Sequence, residues 1–201
     1  MRTVDNRSSG ARGEPLPSHA AGTSLIEVLV AVGIGVTVLG PLATLLFVGA
    51  SSLALARETS LATSLAMRKM EQLTAAVWAV DAAGAPVSDT ASDFTAAPPP
   101  PPTGGTGLSA SPSWSLVQNC VGFVDYLDSA GNWIGAGSLP PPGAAYVRRW
   151  HIEPSVSDPA DSLVLQVLVV PRGRLAPDGY DYSGREPGTV RLVSARTRRS
   201  P

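Results

Sequence analysis

At 201 residues and a formal net charge of −1, the chain has room for one modest domain plus extra segments, and no bulk charge draws it to nucleic acid or an anionic membrane. Cys120 is the only cysteine, which excludes an internal disulfide and a cysteine-built zinc site, and it reads as a small packed residue. The 44% hydrophobic content is unevenly spread, and 5% aromatics leave material for only a small core outside one long apolar run.

Residues 1–22 are polar and carry Arg2, Arg7 and Arg12 against Asp5 and Glu14, a weakly basic lead-in expected to stay on the cytoplasmic side of a membrane. The apolar run comes next, from Val28 to Ala50, 23 residues without a charge. As a helix it would span about 34 Å, enough to cross a bilayer core. Gly33, Gly35, Gly40, Gly49 and Pro41 would be costly in an isolated aqueous helix. In membranes they are tolerated, and small residues there let neighbouring helices approach closely.

The helical pattern continues from Ser51 to Ala79 without proline or glycine. Leu55, Thr59, Ala62, Ala66, Met70, Leu73 and Val77 fall on one face, with Arg57, Arg68 and Glu71 opposite, so one helix is expected to begin as a membrane span and continue as an amphipathic rod. Asp81 to Ser113 holds the run Pro98–Pro102 and then Thr103-Gly104-Gly105. Proline, lacking an amide donor and fixing φ, makes this a connector rather than a ligand for a proline-recognition domain.

Strand signals dominate the remainder: Trp114–Leu127, a turn over Asp128–Asn132, Trp133 and Ile134, then Ala145–Ile152, Leu163–Val170 ended by Pro171, and Thr189–Ala195. In Ala145–Ile152 the alternation puts Tyr146, Arg148, Trp150 and Ile152 on one face and Val147, Arg149 and His151 on the other. Short turns between consecutive strands favour an antiparallel sheet of about four strands, its apolar face covering the helical stripe from Leu55 to Val77. The expected fold class is α+β.

The stretch Gly22-Thr23-Ser24-Leu25-Ile26-Glu27-Val28-Leu29-Val30-Ala31 has a glycine, four residues, a glutamate and then a hydrophobic helix. It resembles the prepilin signature of the type IV filament superfamily: type IV pilins, type II secretion pseudopilins and competence pilins. The resemblance implies cleavage after Gly22 by a prepilin peptidase, methylation of the new amine of Thr23, and a mature chain of 179 residues. Thr23 departs from the family's usual phenylalanine. The chemistry suits these residues, since glycine lets an extended backbone enter a tight cleavage site. A carboxylate in hydrocarbon costs roughly 2.5 kcal/mol or more and needs a partner. In the family, that partner is the amino terminus of a neighbouring subunit, here Thr23 of the next chain against Glu27.

The resemblance further implies a pilin-like fold divided into a leader (1–22), the transmembrane and filament-core half of the helix (23–50), its amphipathic half (51–80), a Pro/Gly-rich connector (81–113) and an antiparallel β-sheet head (114–201). The implied partners are prepilin peptidase, other pilin or pseudopilin subunits, an inner-membrane assembly platform and the inner membrane. The implied location is the inner membrane as a single-pass protein with its head in the periplasm, then a filament. Ala66–Leu73, Tyr146–Trp150 and Val190–Val193 resemble minor pilins of the pilus modification type and I-type minor pseudopilins.

Other readings are weaker. Ala54-Leu55-Ala56 before Arg57 matches a signal-peptidase pattern, but the apolar region far exceeds the usual ~7–15 residues. A single-pass anchor that never joins a filament leaves Glu27 unexplained. Of two histidines, His19 lies in the leader and His151 reads as structural, and no nucleophile elbow, phosphate loop or metal cluster appears, so neither an enzyme nor a cofactor is expected. Asp125, Asp128 and Asn132 could meet calcium at a turn but lack EF-hand spacing, so ordinary turn roles are preferred. Arginines 172, 174, 185, 191, 196, 198 and 199 make the C-terminal end basic; without a stacking surface this reads as a solvated edge and tail rather than a nucleic-acid site.

Overall fold

A computed structural model describes residues 24–95, 104–174 and 186–198. The chain divides into two compact units, Met1–Val48 and Gly49–Pro201. One helix, α1 (Leu25–Ala75, 51 residues), contributes to both.

In the first unit α1 starts at a cap. Ser24 lies just outside the helix, and its side-chain oxygen accepts from the Ile26 amide at 3.2 Å while its carbonyl accepts from Glu27 at 2.9 Å. Thr37 Oγ1 donates to the Ile34 carbonyl at 2.9 Å and Thr44 Oγ1 to the Gly40 carbonyl at 3.1 Å. Both hydroxyls are thereby satisfied within the helix itself, as an apolar surrounding requires. Pro41 sits inside the helix without ending it. Every residue from Leu25 to Val48 is exposed except half-buried Gly35. The helix is long and apolar enough to cross a membrane. At 51 residues it would extend about 76 Å, so only part of it can lie in a bilayer core of about 30 Å; the charge-free run Val28–Ala50 is that part.

The second unit is the α+β head. Its large sheet has the order β4-β3-β5-β6-β7, built from β3 (Val124–Leu127), β4 (Trp133–Ala136), β5 (Tyr146–Pro154), β6 (Ser162–Pro171) and β7 (Val190–Thr197). All neighbours are antiparallel, and β5 pairs with β6 along its whole length, from Tyr146 opposite Pro171 to Pro154 opposite Leu163. The distal helix packs on this sheet through Ala62, Leu65, Ala66, Lys69 and Leu73. They share a core with Trp150 and Ile152 of β5 and Leu165, Val167 and Val169 of β6. The sheet's other face carries a smaller cluster of Val124, Tyr126, Ala144 and Val147, flanked by Ile134. The expected alternation in β5 therefore holds, with the difference that Tyr146 through Ile152 are all buried because both faces are covered.

Several expectations are corrected. The helix ends at Ala75 rather than Ala79, and Trp78–Val80 forms strand β1, paired with β2 (Pro86–Ser88) in a two-stranded sheet. The cause is local: Asp81 Oδ1 accepts from the amides of Ala83 and Ala85 at 2.9 and 2.8 Å, and Gly84 takes a φ of 80°, closing a hairpin. The buried helical face is centred on Leu65 and Lys69, while Leu55 and Val77 at the ends of the expected stripe are 37% and 53% exposed. The large sheet has five strands, not about four. Trp114–Leu127 is strand only from Val124; the residues before it form turns, with Gly122 at φ 88°.

The described residues of the segment expected as a connector, 81–95 and 104–113, are part of the head. Phe94 and Leu108 are buried in the main core. Residues on either side of 96–103 are tied together: Gly104 and Gly105 donate to the Ala91 carbonyl at 2.8 Å, Gly107 to Ser92 at 2.9 Å and Leu108 to Asp89 at 2.7 Å. A Cβ on Gly105 would lie 2.2 Å from the Asp93 Cα, so glycine is required for this approach. The proline run itself lies outside the described residues.

Thermal melts of the detergent-solubilised chain test both parts of this packing. Leu73→Asp places an unpaired charge in the core and should cost about 3–5 kcal/mol. Gly105→Val should destabilise by more than about 1 kcal/mol, because a side chain there meets the Asp93 backbone; an unchanged midpoint would contradict the closed base.

Candidate functional site

The residues singled out in the sequence fall in two places. Gly22 and Thr23, the expected cleavage and methylation positions, lie outside the described residues. Glu27 is the acidic residue of the first turn of α1 and borders a shallow groove with Val28, Ala31 and Val32. With Ser24 as cap it stands three positions into the helix, the spacing of a capping box, where its negative charge also favours the positive end of the helix dipole. Along the same helix, a Cβ placed on Gly33, Gly35, Gly40 or Gly49 would meet nothing within 4 Å. Among the described residues no contact therefore requires glycine there, although each costs roughly 1 kcal/mol of helix propensity relative to alanine.

The head contains a buried charge centre that periodicity did not single out. Asp125 on β3 is fully buried and holds two cations. Arg148 on β5 donates to it in bidentate fashion, Nε to Oδ1 at 2.9 Å and Nη2 to Oδ2 at 2.7 Å, and Nη1 reaches the Leu65 carbonyl at 3.1 Å. Lys69 of the helix approaches the same Oδ2 at 2.9 Å, donates to the Phe94 carbonyl at 2.5 Å and lies 4.3 Å from the centroid of Trp150. Helix, two strands and the loop at Phe94 thus meet at one carboxylate. The available signal was that Lys69 is the only lysine and lies on the helical face between Leu65, Ala66 and Leu73.

The remaining candidates separate. Asp128, half-buried, and Asn132, exposed, form an Asx-type turn: Asp128 Oδ1 accepts from the Ala130 and Asn132 amides, both at 2.9 Å, and Oδ2 from Asn132 Nδ2 at 3.0 Å. These hydrogen bonds, first of all that from the Asn132 side chain, hold the Asp128 carboxyl below its usual range. Asp125 is engaged inside the core, so it does not converge with them on a cation, and no metal-holding cluster of His, Cys, Asp or Glu occurs among the described residues.

His151 is buried, with Nδ1 at 2.7 Å from Ser111 Oγ and 2.9 Å from Ser115 Oγ. Ser111 Oγ also accepts from the Ile152 amide at 2.7 Å, and Ser115 is fully buried. The cluster staples segment 111–115 to β5. Beside it, Arg149 donates to Asn119 Oδ1 and to the carbonyls of Leu116 and Val117. Cys120 is half-buried, and burial pushes its thiol up despite Arg149 nearby.

Two of the C-terminal arginines point inward. Arg196 donates to the carbonyls of Leu73 and Ala76, supplying from β7 the positive charge that the last turn of α1 lacks. Arg198 stacks 3.7 Å from the centroid of Trp78, pairs with Asp161 at 3.2 Å and donates to the Ala79 carbonyl at 3.1 Å.

The two aspartates give a sharp contrast in unfolding experiments. Asp125→Asn strips two buried cations of their counter-charge and should cost about 3–5 kcal/mol. Asp128→Asn, at an exposed turn, should change stability by about 1 kcal/mol or less; the reverse order would refute the charge centre's role.

No family model matches this chain, and neither a curated protein nor a solved structure matches it. The chain therefore stands on its own architecture: a long apolar N-terminal helix, with an antiparallel sheet packed on the helix's distal residues in the second unit.

Proposed function

We propose that this chain is a minor pilin or pseudopilin: a prepilin cut after Gly22 by a prepilin peptidase, methylated at Thr23, and assembled through α1 into a type IV pilus or type II secretion pseudopilus. The observation that carries the reading is the glycine, four residues and Glu27 standing directly ahead of an apolar helical surface that is left exposed among the described residues. Leu29, Leu39, Leu45 and Phe47 are 66%, 63%, 69% and 76% exposed, a surface that needs lipid before assembly and other helices after it. Glycines with open space around them suit close helix–helix approach. On this reading the protein waits in the inner membrane as a single-pass subunit with its head in the periplasm. It then enters a filament through the assembly platform and other pilin-like subunits. Its role is structural, not catalytic.

A second reading is favoured by one observation. Ser24 and Glu27 have capping-box spacing, which gives Glu27 a local role at the helix start and would suit a membrane anchor that joins no filament. Glutamine serves a capping box as glutamate does but cannot pair with an ammonium, so Glu27→Gln separates the two. Filament assembly predicts normal cleavage with incorporation reduced by at least roughly tenfold, a loss of about 1.4 kcal/mol. Incorporation at the parental level would remove the proposed pair between Glu27 and the neighbour's Thr23. Gly22→Trp should block processing in the same assay, and a mature-length band from that variant would place the cut elsewhere.

A further inference from the structure

Lys69 is the chain's only lysine, 19 residues beyond the end of the apolar run, and is 1% exposed. Its ammonium and Arg148 Nη2 share a single carboxylate oxygen, Asp125 Oδ2, at 2.9 and 2.7 Å. Two cations on one anion leave a surplus positive charge in the core, which is unfavourable in a low-dielectric interior. A guanidinium does not deprotonate in the accessible range, so the surplus can be relieved only at Lys69. A neutral amine keeps two hydrogens, enough for both the Phe94 carbonyl and Asp125. Losing the proton therefore removes a buried charge and leaves neither acceptor unpaired.

We propose that the Lys69–Asp125–Arg148 centre is a proton-operated seat for the helix on the sheet: protonated Lys69 holds the seat loose, and release of that proton tightens it. The groups acting on Lys69 come from every element around it: Asp125 on β3, Arg148 and the Trp150 ring on β5, and Asp93 beside Phe94. Burial is the largest influence and lowers the ammonium; Asp125 opposes it, Arg148 adds to it and Asp93 opposes it, leaving Lys69 at about 8 instead of 10.5. Because the folded value is the lower one, the unfolded chain binds more protons between about 8 and 10.5. The penalty is fully present below about 8 and fades as pH rises through that window. Burial pushes Cys120, Tyr146 and Tyr126 upward, so these groups weaken the fold once pH exceeds their ordinary values of 9.0 for the thiol and 10.0 for the phenols. Their effect cancels when the chain is compared with a Lys69 variant. The device belongs to the head and does not depend on filament assembly.

A single lysine gives a single side-chain nitrogen resonance. The full-length protein in detergent, labelled with ¹⁵N at the lysine side chain, should titrate with a midpoint near 8. Arg148→Met, which removes the surplus cation, should move that midpoint up toward the ordinary lysine value. A midpoint at or above about 10 in the folded parent protein would overturn the proposal. Should Arg148→Met fail to fold, melting provides the second reading. The melting temperature of the parent minus that of Lys69→Met should rise between about pH 7 and pH 9, and parallel curves would overturn the proposal equally.

Discussion

Asp125 is the point on which the head depends. Its carboxylate draws in the helix through Lys69, β5 through Arg148 and, by way of Lys69, the loop that presents the Phe94 carbonyl. An apolar helix face slides and rotates with modest penalty, because hydrophobic burial has no preferred direction. A bidentate arginine and a lysine converging on one oxygen do not: a turn of the helix by one residue would strand a buried charge. The surrounding core of Leu65, Leu73, Trp150, Ile152, Leu165 and Val167 supplies the bulk of the burial, and the charge centre fixes where that burial happens. Arg196 and Arg198 perform the matching task at the helix end, tying the last turn of α1 and Trp78 to the final strand.

The other half of α1 is under the opposite constraint. Among the described residues it has no sheet to pack on within its own unit and no contact that requires its glycines, and its threonine hydroxyls are satisfied by the helix backbone. Such a surface is unfavourable in water and suited to lipid or to like helices. A carboxylate at its first turn is then the feature that needs a partner or an interfacial position. Helix, glutamate and preceding glycine are separately unremarkable; their order along the chain is what leads to the filament reading.

Much of the architecture was legible in the sequence. The charge-free run needs no periodicity to be recognised, and β5, β6 and β7 lie within about two residues of their expected bounds because alternation and Pro171 mark them. The features that pattern alone missed have physical causes. Val77 and Trp78 fit a helical stripe, but the Asp81 turn and the burial of Trp78 turn that stretch into a hairpin strand. The Pro/Gly-rich segment reads as a connector by composition, yet backbone hydrogen bonds close its base and Phe94 and Leu108 anchor it in the core. Lys69 was hidden because a hydrophobic pattern treats a lysine as surface, and only the third dimension brings Asp125 to it. Composition likewise made the C-terminal arginines a solvated edge, although Arg196 and Arg198 are spent on backbone carbonyls and an aromatic ring.

The central claim is that this helix is made as a prepilin, and the mass of the mature N-terminus tests it most directly. The protein should be isolated from cells with and without their prepilin peptidase and its first residue determined by mass spectrometry. The account predicts a chain starting at Thr23, with one added methyl, and only when the peptidase is present. A chain starting at Met1 in both strains would reduce the protein to a membrane anchor, and a start at Arg57 would make it a secreted soluble protein; either contradicts the account.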